Sequence, residues 1–299
     1  MFNLKAYSAQ RPLLDPARPK AQVWRLLMGL VLVAGVFLIC NQIAHQTLFN
    51  VLGPSGYDTL TSASGESSQL SVLFLLFSFG FLIIGVIVTL KVAHTRGVLD
   101  VFGDRTLMVS QFWSVLVLLT ILNAVLFILP PWDLGKPLVA NVSPVRWLVV
   151  LPFAILAILV QVTAEEFLFR GYIQQQLAAR FQSPLIWILV PAGLFGLGHY
   201  MPQEAGDNAT LIVIWSIVFG ILMADLTARA GTLGPAIAVH FVNNFLAIAV
   251  ISMPDVLSGL ALYLSPFSMT DTEELRAWLP VDFAMMLVSW LAARLAIRR

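Results

Sequence analysis

WLVVLPFAILAILVQVTAEEFLFRGY, Trp147 to Tyr172, is an almost wholly apolar run to Val160 that ends on two adjacent glutamates and an arginine. A run so long and so apolar reads as a bilayer span, for which about 20 residues are needed. Ionisable side chains in a span cost several kcal/mol unless they face a partner or a water-accessible cavity. Glu165, Glu166 and Arg170 therefore need a chemical reason to be where they are.

The same pattern recurs along the chain. Of 299 residues, 59% are hydrophobic and only 11% charged, against about 25% charged in soluble domains. Mean hydropathy is +0.88. The fold class is all-α, a polytopic membrane protein of about eight transmembrane helices. Its spans are Val23–Ile43, Leu70–Val92, Leu107–Leu129, Trp147–Arg170, Pro184–His199, Ala209–Leu226, Leu233–Ile251 and Val281–Ile297. The first is too long for a signal peptide, lacks a cleavage site, and reads as retained. A net charge of +1 offers no hint of nucleic-acid or acidic partners. Cys40 is the single cysteine, which excludes an intrachain disulfide and a thiolate zinc site.

Charge sets the orientation. With both termini cytoplasmic, fourteen of the 17 Lys and Arg residues fall inside, and only Lys136, Arg146 and Arg276 fall outside. Three units follow: residues 1–144, a basic N-terminal segment with three accessory spans; residues 145–252, a four-helix core; and residues 253–299, an external loop with the last span. Asn50–Gln69, rich in Gly, Ser and Thr, reads as a flexible external connection. Pro254–Pro280 is external too, with its VLSGLALYL portion in the interface. No internal repeat or soluble domain is visible.

Within the core, helical spacing sorts the polar residues. Glu166 and Arg170 are four apart and can pair on one face. Glu165 lies about 100° round the helix and is left free to act as a general base or acid. Packing alone would need one carboxylate, not two. LFGLGHY sets His199 four residues after Phe195, with Gly196 and Gly198 allowing close helix approach. A hairpin turning near Gln182 brings Glu165 and His199 to one level. It also makes the Gly171–Arg180 segment an amphipathic continuation of the fourth helix. In LGPAIAVHFVNNF, His240 and Asn244 share a face, Asn243 points elsewhere, and uncharged donors of this kind suit an oxyanion hole. Standing alone, that spacing fits a structural role as well. His45 and His94 sit at span ends and read as interfacial, and Asp225 as a partner for Arg229. Trp113, Trp132, Trp147, Trp278 and Trp290 read as interfacial or lipid-facing.

Taken in order, EEFLFR, FGLGH and HFVNN resemble the EExxxR, FxxxH and HxxxN motifs of the CAAX protease and bacteriocin-processing (CPBP, or Abi) family. These are intramembrane endopeptidases related to the type 2 CAAX prenyl protease. The resemblance covers about residues 145–250. It implies that Glu165 activates water, His199 assists, and His240 and Asn244 hold the oxyanion. Glu166 and Arg170 form a supporting ion pair, and Phe195 belongs to the supporting set. Glu165, His199 and His240 could also supply a zinc site with an open position. The family is described both as metalloproteases and as metal-independent glutamate proteases, and the residue types fit both. No HExxH is present, and Asn244 is a poor zinc ligand, so the reading leans to a metal-free site.

The implied function is hydrolysis of a peptide bond in a membrane-associated, prenylated or leader-type substrate, in a bacterial inner membrane. The main alternative is a non-catalytic immunity or regulatory protein that binds a peptide or partner protein through the same cavity. A transporter with a Glu165–His199 proton relay would string polar residues over many spans; here they cluster on three.

Overall fold

The computed structural model describes residues 4–61, 68–129 and 137–298. Trp132, Lys136 and Arg299 lie outside the described residues, as do residues 62–67 of the expected external connection. The protein is an all-α, multi-pass integral membrane protein. Six helical stretches among the described residues are long and apolar enough to cross a bilayer, and two shorter apolar helices complete the eight expected.

The long stretches are α1 (Val23–Thr61), α2 (Gln69–Val92), α3 (Arg105–Ile128), α4 (Pro144–Glu166), α6 (Ala209–Ala230) and α8 (Thr272–Ala296); the short ones are α5 (Pro184–Leu197) and α7 (Gly234–Phe245). Caps fix the starts of α3 and α4. The Asp104 carboxylate accepts from the Leu107 amide at 2.7 Å, and Ser143 Oγ accepts from the Arg146 amide with Pro144 in the first turn. Large apolar side chains such as Val31, Ile121, Leu148 and Phe153 point outward, as a lipid solvent allows.

At the centre, α7 packs on α3 and α4, and α6 packs on α5. The α5–α6 crossing is close because it is lined by small residues: a Cβ on Gly220 would stand 2.9 Å from Ala192 Cα, and one on Gly196 would run into Ile217. Gly196 thus fills its expected role. A Cβ on Gly198 would meet only carbonyls of its own chain segment. The chain reverses between Arg180 and Pro184, where the hairpin was expected.

Several expectations need correction. Asn50–Thr61 is helical rather than a loop. It bends at Gly53 (φ 69°), and the Thr59 and Thr61 hydroxyls bond back to carbonyls four residues earlier. VLSGLALYL is folded into the protein. Leu260 and Ala261 are buried, and Tyr263–Leu264 (β3) joins Val139–Ala140 (β1) antiparallel and Ile251–Ser252 (β2) parallel in a small sheet. The last span begins at Thr272, ahead of the expected Val281.

His94 is buried rather than interfacial. Its Nδ1 donates to the Lys20 carbonyl at 3.0 Å and its Nε2 meets the Tyr172 hydroxyl at 2.9 Å. His45, half-buried, contacts the Tyr57 hydroxyl at 3.0 Å and the edge of Phe74. Two of the tryptophans expected at the interface are half-buried and hydrogen-bonded to the protein. Trp147 Nε1 donates to the Ala249 carbonyl at 2.7 Å, and Trp290 Nε1 to Asp225 at 3.2 Å.

The N-terminal segment docks on the bundle end that carries Arg180 and Arg229. Leu13, Leu14 and Ala17 are buried there, and Tyr7 meets Trp187 edge-on at 5.3 Å. Asp225 pairs with Arg229 at 2.8 Å, as expected, and also accepts from Tyr7. Burial first, then Asp225, pushes the Tyr7 phenol up to about 12. Arg96 donates to the Leu13 carbonyl and to Gln175, and burial lowers its guanidinium to about 10.

Candidate active site

The fourth helix does not stop at Glu166. It runs through a π-helical turn, Phe167–Ile173, into Gln174–Arg180. Such wide turns recur at functional sites, because the extra residue re-aims the side chains around it. The continuation is not an amphipathic surface: Gln174, Gln175 and Gln176 are all buried. Within the turn, Arg170 donates to Glu166 Oε1 at 2.9 Å and to the Gly220 carbonyl of α6 at 3.4 Å. Its guanidinium lies 4.8 Å from the Phe195 ring. Glu166 and Arg170 are 0% and 1% exposed, so the expected ion pair exists and is fully desolvated.

Opposite this face stands α7. His240 Nδ1 lies 2.8 Å from Glu166 Oε1, and Nε2 lies 3.5 Å from Glu165 Oε2. Because Glu166 Oε1 already accepts from Arg170, Nδ1 is the donor in this contact. One turn along, Asn244 Nδ2 donates to Gln161 Oε1 at 2.8 Å. Gln161 and Glu165 are four apart on α4, and His240 and Asn244 are four apart on α7. The two helices therefore meet in two rungs, Gln161–Asn244 and Glu165–His240. Asn243 does not point away: its Nδ2 donates to Asn244 Oδ1 at 3.1 Å.

The third motif sits at the end of α5. His199 Nδ1 donates to the Phe195 carbonyl at 2.8 Å, and the two rings lie 4.5 Å apart. This contact selects the tautomer with an unprotonated Nε2, the form that accepts a proton. Phe195 is the hub between motifs, with ring centroids 6.0 Å from His240, 6.0 Å from Phe219 and 5.2 Å from Phe169. Its place four residues before His199 thus supplies both a carbonyl that orients the imidazole and an apolar wall. At 14 residues α5 rises only about 21 Å, short of the roughly 30 Å hydrocarbon core.

All seven residues singled out from the sequence belong to this one region. The direct partner of Glu165 is His240, and His199 is linked to the cluster through Phe195. Glu165 Oε2 and Glu166 Oε2, both buried, have no hydrogen-bond partner among the described residues. Sequence reasoning missed Gln161, Phe219 and the Gly220 carbonyl. Gln161 carried a signal, standing one helical turn before Glu165 with an amide inside an apolar span. The other two are ordinary span residues whose part depends on α6 packing.

The zinc expectation can be tested on the donor set. Among the described residues no group of three His, Cys, Asp or Glu side chains is arranged to hold a metal ion. His240 Nδ1 is held by Glu166 and His199 Nδ1 by the Phe195 carbonyl, which leaves each Nε2 as the free nitrogen. As arranged among the described residues, these side chains are not gathered into a His₂Glu centre.

Residues 146–246, which hold all three motifs, match the family of type II CAAX prenyl endopeptidases described as Rce1-like. The resemblance read from the motifs holds over that segment. The uncharacterized protein YyaK of Bacillus subtilis (strain 168) is 30% identical over 121 residues, 40% of this chain and 40% of that protein. The match thus spans less than half the length of the relative. No solved structure matches the chain.

Proposed function

We propose that the chain is an intramembrane endopeptidase, cleaving a membrane-associated, prenylated or leader-type substrate with water activated by Glu165 and His199. The family match over residues 146–246 supports peptide hydrolysis as the reaction class. The carrying observation is the contrast between the two carboxylates. Glu166 is 0% exposed, its Oε1 held by both Arg170 and His240, whereas Glu165 is 8% exposed and meets only His240 Nε2, at 3.5 Å.

In this reading Glu165 takes a proton from water while the water oxygen bonds to the peptide carbonyl carbon. His199 Nε2 accepts the other water hydrogen and orients the nucleophile. The carbonyl electron pair moves to oxygen, and the Asn244 amide donates to that oxyanion. His240 shares this duty only when both ring nitrogens are protonated, since Nδ1–H is engaged by Glu166. Collapse breaks the C–N bond, and the amine leaves with the proton from Glu165. No step passes through a metal. The charge distribution supports cytoplasmic termini, and the similarity to a Bacillus subtilis protein supports a bacterial inner membrane as the setting.

The test compares membrane and secreted peptides, by mass spectrometry, from cells with the wild type or Glu165→Gln. The reading expects a full-length protein that accumulates only with the variant, alongside a missing fragment. Identical profiles with the biological phenotype intact would instead make the chain a binding protein of the immunity or regulatory kind.

A further inference from the structure

We infer that Gln161 and Asn243 are positioning residues that fix the amide of Asn244 in the orientation an oxyanion donor needs. This rests on the reading of Asn244 given above. A primary amide that is free to flip presents its oxygen to the site as readily as its NH₂ group, and an oxygen would repel the developing negative charge. Here both ends are held. Asn243 Nδ2 donates to Asn244 Oδ1 at 3.1 Å, and Asn244 Nδ2 donates one hydrogen to Gln161 Oε1 at 2.8 Å. The second Nδ2 hydrogen of Asn244 is left for an incoming oxygen.

The three amides form a directed chain, each donor polarised by the acceptance behind it. Gln161 is its anchor. It is only 6% exposed, it lies on the same α4 face as Glu165, and α4 packs directly on α7. Donor and base are therefore set one helical turn apart by the same pair of helices. Gln161 precedes the EExxxR motif and Asn243 occupies a free position within HxxxN, so neither motif marks them.

Four substitutions, two of them also combined, test this on the substrate bond defined by the fragment that Glu165→Gln abolishes. Gln161→Met removes the acceptor at similar volume and lowers kcat about 10- to 100-fold, less than or equal to the loss of a whole oxyanion donor, while KM stays within about two-fold. Asn243→Asp cannot donate to Asn244 Oδ1 and turns the amide round, so it lowers kcat more than Asn243→Ala does. In an Asn244→Ala background, Gln161→Met costs nothing further.

A second readout is independent of turnover. With ¹⁵N-asparagine labelling in detergent, the Asn244 side-chain amide resonances, assigned by their loss in Asn244→Ala, shift in Gln161→Met and Asn243→Asp. Unshifted resonances would overturn the proposal. So would equal kcat losses with and without Asn244, or a loss confined to KM. Activity that survives Glu165→Gln would instead defeat the hydrolysis reading itself, whatever the amide resonances do.

Discussion

The Tyr172 hydroxyl, two residues beyond Arg170 on the motif helix, lies 2.9 Å from Nε2 of His94, whose Nδ1 donates to the Lys20 carbonyl at 3.0 Å. One imidazole thus bolts the N-terminal segment to the helix of the candidate site. Both contacts suit the neutral ring, with Nδ1 protonated and Nε2 accepting from the phenol.

This bolt is expected to loosen in acid. Burial first, with help from the nearby cations Arg25, Arg96 and Lys20, lowers the His94 pKa from its ordinary 6.5. Below that value the unfolded chain binds more protons than the folded one. The stability present above about pH 6.5 is therefore lost as pH falls through it toward the folded value. Hydrogen exchange of residues 4–20, corrected for intrinsic rates, is expected to speed up between about pH 7.5 and 5.5. His94→Gln, which cannot charge, flattens the difference. Equal protection at both pH values in the wild type would refute the coupling.

The Glu166–Arg170 pair is expected to resist single substitution and tolerate a double one. With both groups buried, Glu166→Gln leaves a guanidinium without its counter-charge, at about 3–5 kcal/mol. Arg170→Met strands the carboxylate at a similar cost. Because removing both charges also removes both desolvation penalties, Glu166→Gln with Arg170→Met is expected to recover part of the loss. Thermal unfolding in detergent measures all three. Additive losses in the double variant would show that the pair does not act as a unit.

How much of this was legible in the sequence depends on the range of the interaction. Glu166–Arg170, Asp225–Arg229 and Phe195–His199 are all four apart on one helix, and helical periodicity alone reveals them. The crossing of His240 to both glutamates and of Asn244 to Gln161 depends on how α7 lies against α4, which no spacing along the chain encodes. His94 misled for the same reason. A histidine just past an apolar span is normally wet, and it is dry here only because residues 13–20 fold over it. Asn50–Thr61 misled through composition. Its Gly, Ser and Thr residues disfavour helix, but the threonine hydroxyls return their hydrogen bonds to the helix's own carbonyls.

Gly29 is expected to be irreplaceable as long as Tyr172 keeps its hydroxyl. A Cβ there would overlap Tyr172 Oη and come within 2.7 Å of Thr89 Cγ2. Gly29→Ala forces one of these buried groups to move, at about 1–3 kcal/mol. Tyr172→Phe removes the worst contact, so in that background the glycine substitution is expected to cost clearly less. A double-mutant cycle on thermal stability reads the coupling, and zero coupling would mean that α1 simply shifts outward.

Chelation is expected to leave proteolysis unchanged. A zinc ion would need the free nitrogens of His199 and His240 together with a Glu165 oxygen. His240 Nε2 already faces that carboxylate at 3.5 Å, and among the described residues no three such side chains are gathered to hold a metal ion. Binding metal would also compete with the proton that Glu165 must accept if it is the base. Activity toward the identified substrate, measured after dialysis against 1,10-phenanthroline, is therefore expected to match the untreated protein, with elemental analysis finding no stoichiometric metal. Loss of activity on chelation, restored by zinc alone, would show that α5 and α7 rearrange to gather the two histidines. Glu165 would then be a metal ligand rather than the base.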